Sequence, residues 1–300
     1  MDIISKVIYY CWFGGEKSEK VINCINNWKE KLPYYEIVEI NEYNKELFDV
    51  EKECQNNLWF KTVWENKMWA YVADYARLKV LYERGGVYFD TDIIVEKDIT
   101  ELLKKQKLIM GWEHAQSIAC GVIICPQKDK NIKLIFDFYS NQIWEMPLYT
   151  IPQITTYILK NNYSLKTSAE ITENDDIFIL PTEYFYPLPI GIKEKEGYIT
   201  PNTYTIHWWD ASWLTSNIHY FLKNKHKVPL KKLLKKCFKK VTIINSDFLK
   251  ITLLFKEINL NINFDYTFKF RYRYSKNKKS LILIFLGIPI KLWDITTNGN

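Results

Sequence analysis

Ala73-Asp74-Tyr75-Ala76-Arg77-Leu78, then Leu81-Tyr82, then Gly85-Gly86-Val87-Tyr88-Phe89-Asp90-Thr91-Asp92 is the stretch on which the reading of this chain turns. Residues 62–84 carry helical spacing and run into Gly85-Gly86, a pair that can leave a helix through left-handed backbone. Val87 to Val95 alternates and predicts a strand. Its period of two puts Val87, Phe89, Ile93 and Val95 on one face, and Tyr88, Asp90, Asp92 and Ile94 on the other. Two carboxylates on one face suit Mg2+ or Mn2+, which accept one or two carboxylates and complete their shell with phosphates. On the preceding helix Asp74 and Arg77 share a face, with Tyr71 one turn earlier. A charge pair in so apolar a helix is expected to be partly buried, where each charge needs its partner.

Working towards the N-terminus, Val7 to Phe13 reads as a buried strand ending at Gly14-Gly15. A helix follows over 18–32, with Ser18 as N-cap, an apolar stripe of Val21, Ile22, Ile25, Trp28 and Leu32, and Pro33 as the stop. Residues 35–40 alternate as a second strand, so the unit is strand–helix–strand and predicts parallel pairing. Towards the C-terminus, Leu108 to Trp112 and Gly121 to Cys125 are strand candidates, and 130–143 is a helix candidate. From 145 to 200 the pattern loosens around Pro147, Pro152, Pro181, Pro187 and Pro189. Tyr204 to Trp209 resumes a strand.

Past about residue 220 the composition changes. Leu230, Leu233, Leu234, Cys237, Phe238 and Val241 follow helical spacing, with six lysines between 231 and 240 on the other side. This predicts a basic amphipathic helix over 230–241. Phe264, Tyr266, Phe268, Phe270, Tyr272 and Tyr274 alternate as a strand, Ser275 to Ser280 is a polar turn, and Leu281 to Ile290 can return as a hairpin partner.

Bulk properties exclude several classes. The 300 residues are 47% hydrophobic and 25% charged, enough to bury a sizeable core and not a disordered polyelectrolyte. A net charge of +6 suits an anionic ligand or membrane surface and, with no nucleic-acid motif present, does not argue for DNA or RNA. The six cysteines form no Cys-x-x-Cys pair and read as free thiols of a reducing cytoplasm. The first residues read as no signal peptide, and Leu281 to Ile290 is too short to span a bilayer. A cytoplasmic protein, peripheral on the inner membrane face, is the resulting expectation. Gly14-Gly15-Glu16-Lys17-Ser18 lacks the spacing of a P-loop, and no Gly-x-Ser-x-Gly elbow is present.

The segment from Ala73 to Asp92 resembles the signature of glycosyltransferase family 32, which includes bacterial capsular-polysaccharide transferases and yeast initiating α-mannosyltransferases. It is more distantly similar to the catalytic domain of the large clostridial glucosylating toxins. Ile8-Tyr9-Tyr10-Cys11-Trp12-Phe13-Gly14-Gly15 resembles the family's first strand, and His207-Trp208-Trp209-Asp210-Ala211-Ser212-Trp213 its C-terminal motif. Trp208 and Ala211 stand where the family often has a second His and a Gly, and Cys120 where it often has Asn, so His207 is the candidate ligand of that motif.

The resemblance implies an α/β, GT-A-like Rossmann-type nucleotide-sugar-binding fold with a mixed sheet. It implies a catalytic domain over 1–220; residues 221–300, which the resemblance does not cover, read from their composition as a basic, aromatic appendage that associates with membrane. The implied activity moves a sugar from a nucleotide-diphosphate donor to a glycan or lipid-linked oligosaccharide acceptor, with retention and with Mn2+ or Mg2+. Asp74, Arg77, Asp90 and Asp92 are then the catalytic set. Trp12, Tyr88, Ser212 and Trp213 bind the donor, and Asp90, Asp92 and His207 hold the metal. Two alternatives stay open: a transferase that modifies a protein as an effector, and a carbohydrate-binding protein without catalysis.

Overall fold

A computed structural model of the chain describes residues 4–192, 194–209, 222, 225 and 226, and the backbone of 238–245, 248–253, 256–261, 268–275, 278–285 and 288–296. It divides into two units, Met1–Leu230 and Lys231–Asn300. Leu222 is buried in the first unit's core and Lys225 donates to the carbonyls of Met146 and Leu148 at 2.7 Å each, so the first unit extends past residue 220.

The first unit opens with β1 (Val7–Cys11), α1 (Glu19–Lys31) and β2 (Glu36–Ile40). Next come α2 (Val50–Asn56), α3 (Leu58–Glu65), α4 (Trp69–Arg84), β3 (Gly86–Phe89), β4 (Ile93–Val95), α5 (Thr100–Leu103), β5 (Leu108–His114) and β6 (Ser117–Cys125). It closes with α6 (Lys130–Asn141), α7 (Ile151–Asn162), β7 (Thr172–Glu173), β8 (Ile177–Leu180), α8 (Thr182–Phe185) and β9 (Thr205–His207).

Seven strands form one sheet in the order β2-β1-β3-β6-β5-β8-β7, and β4 and β9 form a separate pair. β1 runs parallel to β2 and β3, while β6 is antiparallel to β3 and β5. The sheet is therefore mixed and the class is α/β, as the sequence predicts. One face buries Tyr9, Cys11, Tyr88 and Ile123 under α3, α4, α6 and α7, with Tyr75 of α4 in the same core. The other buries Ile8, Tyr10, Val87, Phe89 and Val122 under α1 and the β4–β9 pair, with Trp28 of α1 in the same core.

The strand–helix–strand opening forms as expected, with the Ser18 hydroxyl accepting from the Val21 amide at 3.5 Å. Ile22 is 46% exposed and Cys24 takes its place in the buried stripe. The expected helix over 62–84 is two helices. Lys67 adopts a φ of 54°, and the Met68 amide turns back to the Val63 carbonyl at 2.9 Å, which ends α3 before α4 starts. The expected strand over 87–95 also breaks, at Asp90–Asp92. The Ile93 amide bonds to the Asp90 carbonyl at 3.1 Å, and the chain leaves the seven-stranded sheet for its pairing with β9. Gly85 is required between α4 and β3: its φ is 67°, and a Cβ there would lie 2.4 Å from the Gln127 backbone nitrogen. In the loosened region α7 starts with Pro152 in its first turn, where proline costs no hydrogen bond.

The second unit holds β10 (Phe238–Asn245), β11 (Phe248–Leu253) and β12 (Lys256–Asn261), then β13 (Phe268–Ser275), β14 (Lys278–Phe285) and β15 (Ile288–Thr296). Each trio is an antiparallel three-stranded sheet. The alternating aromatic strand is described from Phe268 on as β13, which pairs with β14 from Phe268 opposite Phe285 to Ser275 opposite Lys278, and the expected partner over Leu281 to Ile290 is divided between β14 and β15. The basic helix expected over 230–241 does not extend through Phe238–Val241, which belong to β10. β-Branched Val241, Thr242, Ile243 and Ile244 follow directly and favour a strand there. Residues 230–237 lie outside the described residues.

Candidate functional site

Strand direction gathers the candidate residues at one edge of the sheet. β1 and β3 are parallel with Tyr9 opposite Tyr88, so Cys11-Trp12 and Asp90-Thr91 leave the sheet side by side. β5 reaches the same edge at Glu113 and His114, and antiparallel β6 starts back from it through Cys120 and Gly121, with Val122 opposite Phe89. Carboxyl ends of strands in open α/β sheets are where ligands bind.

Arg77 organises the interior of this edge. Its side chain is 6% exposed. One terminal nitrogen contacts an Asp90 carboxylate oxygen at 2.9 Å and donates to the Cys120 carbonyl at 2.8 Å. The other meets Asp74 at 3.1 Å, and Nε donates to the Ala73 carbonyl at 3.3 Å. The guanidinium also lies 4.4 Å from the Tyr88 ring centre, and the Tyr88 hydroxyl donates to the same Asp90 oxygen at 3.0 Å. The planar fork thus fixes two carboxylates and a backbone carbonyl at once, which a lysine cannot do.

Asp74 is buried, and burial raises its carboxyl to about 7 against the pull of Arg77, with Asp90 adding to the rise and the Ile151 amide opposing it. The native state therefore binds more protons at Asp74 than the unfolded chain between roughly pH 4 and 7. Stability falls as pH rises through that window. Urea midpoints at pH 5 and pH 7 should show this slope, and Asp74→Asn should flatten it.

Asp90, Asp92 and His207 each offer a ligand atom, and these atoms lie within 4.8 Å of one another. The turn at 90–92 and the β4–β9 pairing, with Ile93 opposite His207, create this cluster across 115 positions of sequence. His207 Nε2 is 2.9 Å from Asp92 Oδ1, and the Trp208 amide donates to the Asp92 carbonyl at 3.1 Å. His207 Nδ1 is buried with no hydrogen-bond partner among the described residues. Burial pulls the imidazole pKa down, but the Asp92 hydrogen bond and the Asp92, Asp90 and Glu113 charges more than offset it, so the value is raised.

Asp90 commits Oδ1 to Arg77 and Tyr88, while Oδ2 lies beside Gly121, where a Cβ would come within 3.1 Å of it. The donor set fits a small divalent cation: adjacent ligands ~2.1 Å from an octahedral ion sit about 3 Å apart. Mixed carboxylate and imidazole suits Mn2+. Gly121→Ala should crowd Asp90 Oδ2 and lower metal-dependent activity at least tenfold with little loss of stability, checked by titrating Mn2+ against activity and by a thermal melt.

The remaining candidates are placed as follows. Tyr88 is 1% exposed and faces Arg77 and Asp90. Trp12 is partly buried just beyond β1, its indole N–H bonded to the Gly15 carbonyl at 2.8 Å. Ser212 and Trp213 lie outside the described residues. Sequence reasoning missed Tyr186, whose hydroxyl accepts from the Val122 amide at 2.7 Å and whose ring centre is 5.8 Å from that of His207. It also missed the Cys120 carbonyl as a partner of Arg77. The dense aromatics between Pro181 and Pro189 were a signal for the first; a backbone carbonyl leaves none.

Residues 18–109 match the glycosyltransferase sugar-binding region containing DXD motif. The chain is related in sequence to named glycosyltransferases. It is 25% identical over 169 residues to the lactosylceramide 4-alpha-galactosyltransferase of Homo sapiens, covering 51% of this chain and 46% of that enzyme. It is 23% identical over 158 residues to subversion of eukaryotic traffic protein A of Legionella pneumophila, covering 45% of this chain and 24% of that protein. The chain thus spans about half the length or less of these curated relatives. Among solved structures, the PaToxG glycosyltransferase aligns with a TM-score of 0.41 at 18% identity, over 53% of this chain and 69% of that one. The glycosyltransferase GlyE of Streptococcus pneumoniae TIGR4 aligns with a TM-score of 0.38 at 14% identity, over 77% of this chain and 63% of that one.

Proposed function

We propose that this chain is a metal-dependent transferase of GT-A type that moves a glycosyl group from a nucleoside-diphosphate sugar to an acceptor hydroxyl. The observation that carries the reading is the junction of two carboxylates and an imidazole with a buried guanidinium. Arg77 holds Asp90 from inside through Oδ1, and Asp90 offers a carboxylate oxygen to the cluster with Asp92 and His207. A divalent cation held by Asp90, Asp92 and His207 would neutralise charge on the departing nucleoside diphosphate.

The chain's own groups do the rest by positioning. Arg77 and Tyr88 fix Asp90, and the Trp208 amide fixes the Asp92 backbone. In this reading Asp74 and Arg77 face the donor sugar and diphosphate, Trp12 stacks on the nucleobase, and Ser212 and Trp213 close on the diphosphate. The resemblance to glycosyltransferase family 32 further assigns a retaining course. Incubation with uridine and guanosine diphosphate sugars and Mn2+ tests the reading through release of nucleoside diphosphate. Sugar binding without any release would favour a carbohydrate-binding protein.

For the acceptor we infer a lipid-linked glycan, as in capsule-type assembly, reached by peripheral attachment to the inner membrane face. The human relative is named for a glycosylated lipid, and lysines crowd residues 231–240. No helix among the described residues is long and apolar enough to cross a membrane. Each basic residue near an anionic surface contributes ~1 kcal/mol. The full chain should therefore co-sediment with anionic liposomes, release them in high salt, and lose binding when it ends at Leu230. Equal sedimentation with neutral liposomes would contradict the attachment. A relative named for subversion of eukaryotic traffic keeps a protein acceptor as the second reading.

A further inference from the structure

Strand β6 is irregular where it passes the cation cluster. Against β5, Ile124 lies opposite Ile109 and Ala119 opposite Gly111, so Cys120 to Ile123 bulge against Met110 alone. The other edge of β6 stays in register with β3, with Val122 opposite Phe89. Bulges re-aim backbone groups and gather next to functional sites. Here the Cys120 carbonyl accepts from Arg77 at 2.8 Å, the Gly121 carbonyl accepts from the Asp90 amide at 2.8 Å, and the Val122 amide donates to the Tyr186 hydroxyl at 2.7 Å. The first two bonds hold Asp90, by its side chain through Arg77 and by its own backbone. The third fixes the tripeptide that makes them.

Tyr186 is also tied to the other half of the cluster. It follows α8, and its ring meets the His207 imidazole edge-on with centres 5.8 Å apart. The Tyr204 amide donates to the Tyr184 carbonyl at 2.8 Å and the Thr205 hydroxyl to the Phe185 carbonyl at 3.0 Å. The residues before Tyr186 are thus bonded to the start of β9, the strand that delivers His207. Gly111 of β5 makes room for this approach: a Cβ there would lie 3.2 Å from the Tyr186 ring and 3.0 Å from that of Phe185. A Cβ on Gly121 would come 3.1 Å from Asp90 Oδ2 and 3.6 Å from the Tyr186 hydroxyl, so both oxygens border one glycine. Tyr186 is 1% exposed, and phenylalanine in its place would fill the same space and leave the Val122 amide without an acceptor.

We propose that Tyr186 is a positioning residue of the cation site: its hydroxyl pins the bulge at Cys120–Val122, keeps both holds on Asp90 in place, and joins the Asp90 side of the cluster to the side that carries His207. The inference rests on the cation-binding reading and gives a role to a residue outside the ligand set. Groups that orient metal ligands from behind change metal affinity about 10–100-fold when removed.

Thr156 supplies a matched control. Its hydroxyl accepts from the Ile118 amide of the same strand at 2.9 Å, outside the bulge. Tyr186→Phe and Thr156→Val each take one acceptor from a buried β6 amide with little change of shape. The test follows Mn2+ binding to the full chain by water-proton relaxation, alone and with uridine or guanosine diphosphate, with a thermal melt of each variant. Both melts should shift downward, but Tyr186→Phe alone should weaken Mn2+ binding, about tenfold. Equal Mn2+ affinity in Tyr186→Phe and wild type overturns the proposal and leaves the cation reading intact. So does an equal loss in Thr156→Val, which would make the effect one of β6 stability at large. Wild type that binds no Mn2+ under either condition removes the cation reading and this role with it.

Discussion

Asp92→Ala is expected to reduce donor turnover at least a thousandfold, about 4 kcal/mol in barrier, while the protein stays folded. Asp92 lies in the turn between β3 and β4 rather than in the core, and its side chain is 17% exposed. Its carboxylate is the partner of His207 at 2.9 Å, so its removal leaves Asp90 and an imidazole without the second acid. Among the described residues the side chain's hydrogen bond is the one to His207, worth ~1.5–3 kcal/mol. The chemical loss is a ligand of the cation that would offset diphosphate charge. Steady-state release of nucleoside diphosphate and a thermal melt measure the two effects separately. Near-normal turnover in Asp92→Ala would remove the metal-bridged account.

Arg77→Ala should act first on the fold. It leaves Asp74 and Asp90 without their shared cation and the Cys120 carbonyl without its donor, all at a position 5% exposed. Removing one partner of a buried ion pair costs ~3–5 kcal/mol. That is a large part of the ~5–15 kcal/mol by which domains are stable. Urea unfolding should show the loss. Arg77→Lys keeps the charge and loses the fork, so it should fold better than Arg77→Ala yet turn over donor at least tenfold more slowly than wild type, about 1.4 kcal/mol. A silent Arg77→Lys would reduce the pair to ordinary scaffolding.

The parts of this fold legible in the sequence are those written locally. Ser18 caps α1, Val21, Ile25 and Trp28 recur at helical spacing, and β1, α1 and β2 follow in the order a parallel pair requires. The faces of β3 and β4 were also legible: Phe89, Ile93 and Val95 do share a core, even though the strand breaks between them. The breaks themselves were not. A continuous apolar pattern runs across Lys67, and only the packing of α3 against α4 shows that the chain reverses there. Asp90 and Asp92 come together through a turn, not through the alternation that pointed to them.

Tertiary pairing hid the rest. Nothing near His207 in sequence announces that β9 pairs with β4 and delivers an imidazole to Asp92; the resemblance to a family motif pointed there instead. Tyr186 and Trp209 follow no period, since each is placed by an irregular segment around prolines. The lysines of 231–240 suggested a helix because lysine every few residues fits a helical face, yet β-branched residues after 240 carry the chain into a strand.

The most direct measurement of the central claim is a calorimetric titration of uridine and guanosine diphosphate into the full chain, with Mn2+ and again with EDTA, for wild type and Asp92→Asn. If Asp90, Asp92 and His207 hold a cation that offsets the diphosphate charge, as proposed, at least one nucleotide should bind with Mn2+. EDTA and Asp92→Asn should each weaken that binding at least tenfold. Nucleotide affinity that is the same in EDTA, or unchanged by Asp92→Asn, would contradict the claim.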